Sequence, residues 1–186
     1  DDIGTAELAV KYGGEVPFIR DSALSSDKVA TVPVIKDAIL QIKTDKNSPE
    51  FVTAIYPCTP LLKPEDLITA YETLKASAAP YVFPISQFPS PPERSLFLGD
   101  FDQVKSTYPE NAWRRTQEFE QKFYDAGQFY CGRVQSWIDE KELHNGSRAI
   151  IIPAWRAVDI DNPDDWITAE RYFIAFRNAQ NKINSR

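Results

Sequence analysis

Residues 51–56, Phe51-Val52-Thr53-Ala54-Ile55-Tyr56, decide how the chain is read. The run is β-branched and aromatic, is bounded by Pro49 and Pro57, and predicts a buried strand. Downstream, Pro64-Glu65-Asp66 has the chemistry of a helix start, and Leu67, Ala70, Tyr71 and Leu74 then fall on one helical face. Tyr81-Val82-Phe83-Pro84-Ile85 is the next strand. Upstream, Ile3, Ala6, Leu8, Ala9 and Tyr12 recur at helical spacing, and Gly13 stands where a left-handed cap is wanted. Residues 15–19 read as a short strand. After a polar loop over residues 21–28, Val34, Ile35, Ala38, Ile39 and Ile42 make a second helical stripe, with Pro33 tolerated in its first turn and Asn47-Ser48-Pro49 ending it. Helices alternating with strands imply an α/β fold with a mostly parallel sheet covered by helices.

The alternation breaks at Phe88. Residues 88–115 carry Pro89, Pro91, Pro92 and Pro109 and have no helical period, only short pieces such as Leu96-Phe97-Leu98, so they read as an excursion from the core. Phe119 and Phe123 mark a short helix, residues 128–130 a strand, and residues 134–140 a helix start. Residues 149–152 read as another buried strand and residues 157–160 as the last. Trp166, Ala169, Tyr172, Phe173 and Phe176 give a long terminal helix. The expected organisation is one domain over 1–186, with 1–87 and 116–186 as core and 88–115 as the excursion.

Composition agrees with one globular unit: 186 residues, 42% hydrophobic and 26% charged. Lys+Arg 21 against Asp+Glu 27 leaves a net charge of -6, which removes the broad attraction that nonspecific nucleic-acid or anionic-membrane binding needs. No apolar run approaches the roughly 20 residues of a membrane span. Cys58 and Cys131 lie far apart without metal spacing and read as packing residues in a reduced cytoplasm. The chain opens on Asp1-Asp2, contains no Met and shows no signal sequence, so a segment ahead of it is expected.

Asp159-Ile160-Asp161 is the most informative triplet. Alternate residues at a strand end point the same way, so Asp159 and Asp161 could share one hard cation such as Mg²⁺. The competing reading is helix initiation, since Asn162-Pro163-Asp164-Asp165 supplies a cap, a first-turn proline and acids at the positive end of the dipole. Asp159 precedes the cap and needs another reason. Arg20 ends the strand read at residues 15–19, where ligands gather in open α/β sheets, and leads into Ser25, Ser26 and Asp27; a solvated arginine fits as well. Tyr56-Pro57-Cys58-Thr59-Pro60 leaves a buried strand at the same edge with a phenol and a hydroxyl, though a proline-stiffened connection explains it equally. His144, the only histidine, sits in a turn, so Ser-His chemistry is disfavoured.

Asp125-Ala126-Gly127-Gln128-Phe129-Tyr130, preceded by Arg115-Thr116-Gln117, together with Phe88-Pro89, Arg94 and Val158-Asp159-Ile160-Asp161 followed by Asp164-Asp165-Trp166, resembles the CMP-sialate synthetase family, which activates nine-carbon acidic sugars; within it the likeness is to the pseudaminic acid branch. Ala9-Val10-Lys11-Tyr12-Gly13 and Val16-Pro17-Phe18-Ile19-Arg20 fit a further stretch of the family. The resemblance implies a three-layer, Rossmann-like nucleotide-diphospho-sugar transferase fold. It implies transfer of CMP from CTP to a nonulosonic acid for cell-surface or flagellar glycans, with Mg²⁺ on Asp159 and Asp161. It puts Arg20 and Thr59 on the nucleotide side and Tyr56, Gln128 and Tyr130 on the sugar side. The excursion matches a dimerisation arm, with Arg94 and Arg115 meeting a carboxylate across a homodimer. Departures are Cys58 for the usual threonine, Tyr124 for a frequent histidine and Cys131 for a frequent tryptophan. Nothing in the chain matches the family's glycine-rich phosphate loop, which keeps a noncatalytic nucleotide-sugar-binding module as the rival reading.

Overall fold

Backbone hydrogen bonding sets out α1 (Ile3–Lys11), α2 (Thr31–Ile42), β1 (Phe51–Ile55), α3 (Pro64–Lys75), β2 (Tyr81–Gln87), β3 (Leu96–Leu98) and β4 (Val104–Ser106). After these come β5 (Phe123–Asp125), β6 (Phe129–Arg133), α4 (Val134–Ile138), β7 (Arg148–Ile151) and α5 (Pro163–Asn184). This computed structural model describes residues 1–26, 28–42 and 49–184, with side chains to residue 178. Asp27 and the Asn47-Ser48 break lie outside the described residues. Among them no helix is long and apolar enough to cross a membrane.

Five strands pair in the order β1-β6-β2-β5, with β7 also on β2. Tyr81 faces Gly132 and Val82 faces Cys131 in one antiparallel ladder, and Ile85 faces Asp125 and Gln87 faces Phe123 in another. Beside β1, the Val134 N–H donates to the Glu50 carbonyl at 3.0 Å and the Tyr56 N–H to the Gln128 carbonyl at 2.9 Å, so β1 and β6 also run oppositely. The expected mostly parallel sheet is therefore corrected to a mostly antiparallel one. β1 and β2 do run the same way, as a strand-helix-strand unit must, but β6 stands between them. No crossover helix precedes β6, only β5, so nothing forces it parallel.

The chain forms two compact units. The first comprises Asp1–Ala54, Glu72–Val82 and Cys131–Arg148. In it Asp2 caps α1 by accepting the Thr5 N–H, Gly13 follows at φ +89, and none of the helix is buried. Residues 15–19 join no sheet, against expectation; Pro17 removes a donor from the middle of the run. The core is built on Trp137, Tyr81, Leu74 and Val82, all at 0% exposure. The Trp137 and Tyr81 rings meet edge-on at 4.7 Å, and the Tyr81 hydroxyl donates to the Ser136 and Lys141 carbonyls at 2.8 and 3.1 Å. Burial, then the Asp139 charge, pushes the Tyr81 pKa up to about 12. A Cβ on Gly132 would lie 2.4 Å from Trp137 Nε1 and 2.5 Å from Tyr81 Cδ1, so this crossing admits only glycine. Arg133 donates to the Leu74 and Ser77 carbonyls, adding side-chain donors at and just beyond the end of α3.

The second unit comprises Ile55–Tyr71, Phe83–Tyr130 and Ala149–Arg186. Its excursion holds the β3–β4 hairpin, with Leu96 opposite Ser106 and Leu98 opposite Val104. Leu96, Phe97, Leu98, Phe101, Val104 and Trp113 all face solvent, Phe101 and Trp113 at 97%. Residues near Phe119 and Phe123 give a 3₁₀ turn and β5 rather than a helix. β7 is mostly exposed, not buried, and only Ile152 just beyond it is covered. Residues 157–160 join no strand.

Candidate active site

The antiparallel ladder of β5 ends where the Ala126 N–H donates to the Pro84 carbonyl at 3.1 Å. The chain then leaves the sheet through Gly127 at φ +62, a backbone conformation open to glycine, while Asp125 Oδ1 accepts the Gly127 N–H at 2.9 Å. This turn delivers Gln128 and Tyr130. The Tyr130 hydroxyl donates to Asp125 Oδ2 at 2.8 Å, and its ring lies 5.5 Å from both Tyr56, edge-on, and Phe83. Burial is the main cause of a strongly raised Tyr130 pKa, followed by the Asp125 charge and hydrogen bond and weaker contributions from Tyr56 and Asp159. A Cβ on Gly127 would stand 3.9 Å from Asp159 Oδ2, which brings that carboxylate against the turn. Tyr56, Asp125, Gly127, Tyr130 and Asp159 are thus gathered in one place, within the second unit.

Gln128 is 1% exposed. Its Nε2 donates to the Arg156 carbonyl at 2.5 Å, and its Oε1 is buried without a hydrogen-bond partner. Arg156, itself 5% exposed, donates through Nε to the Leu61 carbonyl at 3.2 Å and forks onto both oxygens of Asp66 in the first turn of α3. Burial lowers the Arg156 pKa, and the Glu65 charge opposes the shift.

The helix-start acids sort themselves. Asn162 Oδ1 accepts the N–H groups of Asp164 and Asp165 at 2.9 and 3.1 Å, while Asp165 Oδ2 accepts those of Asp161 and Asn162, both at 3.1 Å. This reciprocal cap uses the backbone of Asp161 and not its carboxylate. Asp159 and Asp161 are both exposed. Among the described residues no cluster of three or more His, Cys, Asp or Glu forms a self-contained metal cage.

Other expected site residues lie elsewhere or are engaged. Arg20 is in the first unit, donating to Asp1 at 2.9 Å and Ser25 at 3.3 Å. The Thr59 hydroxyl closes its own turn on the Tyr56 carbonyl at 3.1 Å. Arg94 donates to the Ala112 and Arg114 carbonyls within the excursion, and Arg115 is exposed. Cys58 is exposed at φ 60, not a packing residue, whereas Cys131 is buried. An apolar cleft of about 500 Å³ is lined by Cys58, Thr59, Ile160, Trp166 and Phe173 among others. Sequence reasoning missed Asp66, Arg156 and the role of Asp125. Arg156 looks like any surface arginine in a short loop; only Asp125, inside the quoted motif, carried a signal.

No protein-family model matches the chain. It is 23% identical over 173 residues to a CMP-N,N'-diacetyllegionaminic acid synthase of Legionella pneumophila, covering 72% of that protein. In fold it is similar to a solved CMP:2-keto-3-deoxy-manno-octonic acid synthetase complexed with CTP, at a TM-score of 0.61 and 12% identity over 96% of this chain and 79% of that one. A pseudaminic acid cytidylyltransferase of Campylobacter jejuni serotype O:2 is 30% identical over 166 residues, 89% of this chain and 72% of the relative. With that identity over that span, and the turn at residues 125–130 built as described, the chain belongs to the pseudaminic acid cytidylyltransferase family.

Proposed function

We propose that the protein transfers CMP from CTP to the anomeric hydroxyl of a nonulosonic acid, pseudaminic acid first, for cell-surface or flagellar glycans made from the cytoplasm. The observation that carries this reading is the turn at residues 125–130, where two tyrosines, a buried glutamine and Asp159 converge in a chain of this family. In the reaction the anomeric oxygen bonds to the α-phosphorus, the bond from that phosphorus to the bridging oxygen breaks, pyrophosphate leaves with the electron pair, and the hydroxyl proton is lost to water. Positioning and charge neutralisation are what such a transfer demands.

Asp159 and Asp161 are the residues that would hold Mg²⁺. Both are exposed hard-oxygen donors, and among the described residues no group of three or more His, Cys, Asp or Glu forms around them, which suits an ion that keeps waters and takes substrate phosphate oxygens. Bound there, Mg²⁺ supplies positive charge against the phosphates. Tyr130, its proton committed to Asp125 and its ring packed against Tyr56 and Phe83, serves the sugar through the remaining lone pairs of its oxygen. Arg20 and Thr59 serve the nucleotide, and Arg94 and Arg115 serve the sugar carboxylate from a partner subunit. The exposed apolar side chains of the excursion fit a second copy of the chain as their cover. The legionaminic relative favours one alternative substrate class, sugar acids of different ring stereochemistry.

The test is pyrophosphate release from CTP with pseudaminic, legionaminic and N-acetylneuraminic acids in parallel. Pseudaminic acid should give the highest kcat/KM. Faster turnover of another acid overturns the substrate, and release with none overturns the function.

A further inference from the structure

The unpaired oxygen of Gln128 points to a recognition device that begins at α3. A carbonyl only accepts, so the contact with the Arg156 carbonyl fixes which end of the Gln128 amide carries nitrogen. Oε1 must then face the other way, as an acceptor, and it is buried with no protein donor. Leaving such a group dry and unpaired is unfavourable, so its retention needs a reason. The Arg156 carbonyl is held in turn because the arginine side chain is clamped between Leu61 and Asp66, with Asp66 also accepting the Lys63 N–H at 3.3 Å. The chain of contacts runs from the first turn of α3 through Arg156 to Gln128, two residues from Tyr130.

We infer that Asp66 and Arg156 are positioning residues for sugar recognition, orienting the Gln128 amide so that its Oε1 accepts from a hydroxyl or acylamino N–H of the sugar acid. This rests on the sugar-side reading of residues 125–130 proposed above. A fork onto a carboxylate is a stiff anchor, stiffer than a lysine would provide, which suits an arginine whose task is to fix its own backbone. A site built to meet a donor also rejects analogues that lack it more strongly than an apolar site rejects them.

The experiment is a kinetic double-mutant cycle on the full chain with Gln128→Ala, Asp66→Asn and the pair. Each single variant should raise the sugar-acid KM about tenfold, a typical loss for one recognition hydrogen bond, with the CTP KM within about twofold. The double variant should be no worse than Gln128→Ala alone, because Asp66 acts through Gln128. Penalties that multiply, or a CTP KM that rises as much as the sugar KM, would overturn the inference. Arg156→Lys takes the place of Asp66→Asn if the latter fails to fold, with the same expectations. In the unaltered protein the side-chain amide resonance of Gln128 should shift when the sugar acid is added; no shift overturns the inference without any variant. Should Gln128→Ala leave the sugar KM unchanged while CTP turnover persists, the sugar-side reading of residues 125–130 falls, and this inference with it.

Discussion

The turn at residues 125–130 and the acidic stretch at residues 159–165 lie in the same compact unit and are built on opposite principles. In the first, Asp125 uses both oxygens on its own turn, Tyr130 is committed to Asp125, and Gln128 is 1% exposed. In the second, Asn162 and Asp165 satisfy the start of α5, and Asp159 and Asp161 stay exposed. Under the roles proposed above, a recognition surface has to hold its shape before the ligand arrives, whereas carboxylates for a cation completed by substrate lose little by remaining solvated until then. The difference separates which substitutions harm activity alone from which harm the fold as well.

The largest expected effect follows from that separation. Asp159→Asn and Asp161→Asn should each lower turnover at limiting Mg²⁺ by at least about 100-fold while moving the melting temperature by no more than about 2 °C. Unchanged turnover in both would break the metal assignment. Asn162→Ala is the control from the same stretch, costing about 1 kcal/mol of stability through the lost cap with turnover kept.

The second effect extends the contrast to the excursion, where Phe101 and Trp113 are as exposed as Tyr81 and Trp137 are buried. Phe101→Glu with Trp113→Glu should weaken self-association by about 10- to 50-fold, measured by light scattering across a dilution series. Mixing an Asp159→Asn protein with an Arg94→Ala protein should restore activity, since a shared-site dimer assembles one site free of both lesions. A monomeric parent protein at micromolar concentration contradicts this reading of the arm.

The smallest effect is a pH dependence. The folded protein holds the Tyr81 proton to about pH 12, while an unfolded tyrosine releases it near the ordinary value of about 10. Above that pH the unfolded state binds fewer protons than the folded one, so stability is full below about pH 10 and falls as pH rises toward 12. Urea midpoints taken at rising pH should therefore decline less steeply in Tyr81→Phe, which itself costs about 1 kcal/mol at neutral pH through the lost hydroxyl contacts to the Ser136 and Lys141 carbonyls.

What the sequence made legible follows period and punctuation. Leu67, Ala70, Tyr71 and Leu74 announced α3, and Pro49 and Pro57 framed β1, because these signals are local, but the expected burial of β1 is only partial, with Thr53 and Ile55 exposed. Residues 15–19 and 157–160 have strand-like composition but join no sheet; pairing is decided by partners that composition does not specify. Strand direction was invisible for the same reason, since β6 takes its orientation from where the chain happens to return. In the candidate site, the motif at residues 125–130 was readable through the family resemblance it carries, and the structure adds Asp159 beside it. The Asp66–Arg156 pair was not readable, because its residues are 90 apart and neither stands in a distinctive pattern.

The position of β6 also governs how this chain is made. β1 and β2 are synthesised before β6 and are not neighbours in the finished sheet, where β6 stands between them. The contact between Trp137 and the Val52 carbonyl spans 85 residues, so the central ladder closes only after the whole excursion has emerged. Until then two apolar strands present unpaired edges, the configuration most open to intermolecular pairing. A nascent chain of this design depends on late, long-range closure, and its yield on overexpression should track how quickly translation carries it past Trp137, slow passage favouring aggregation.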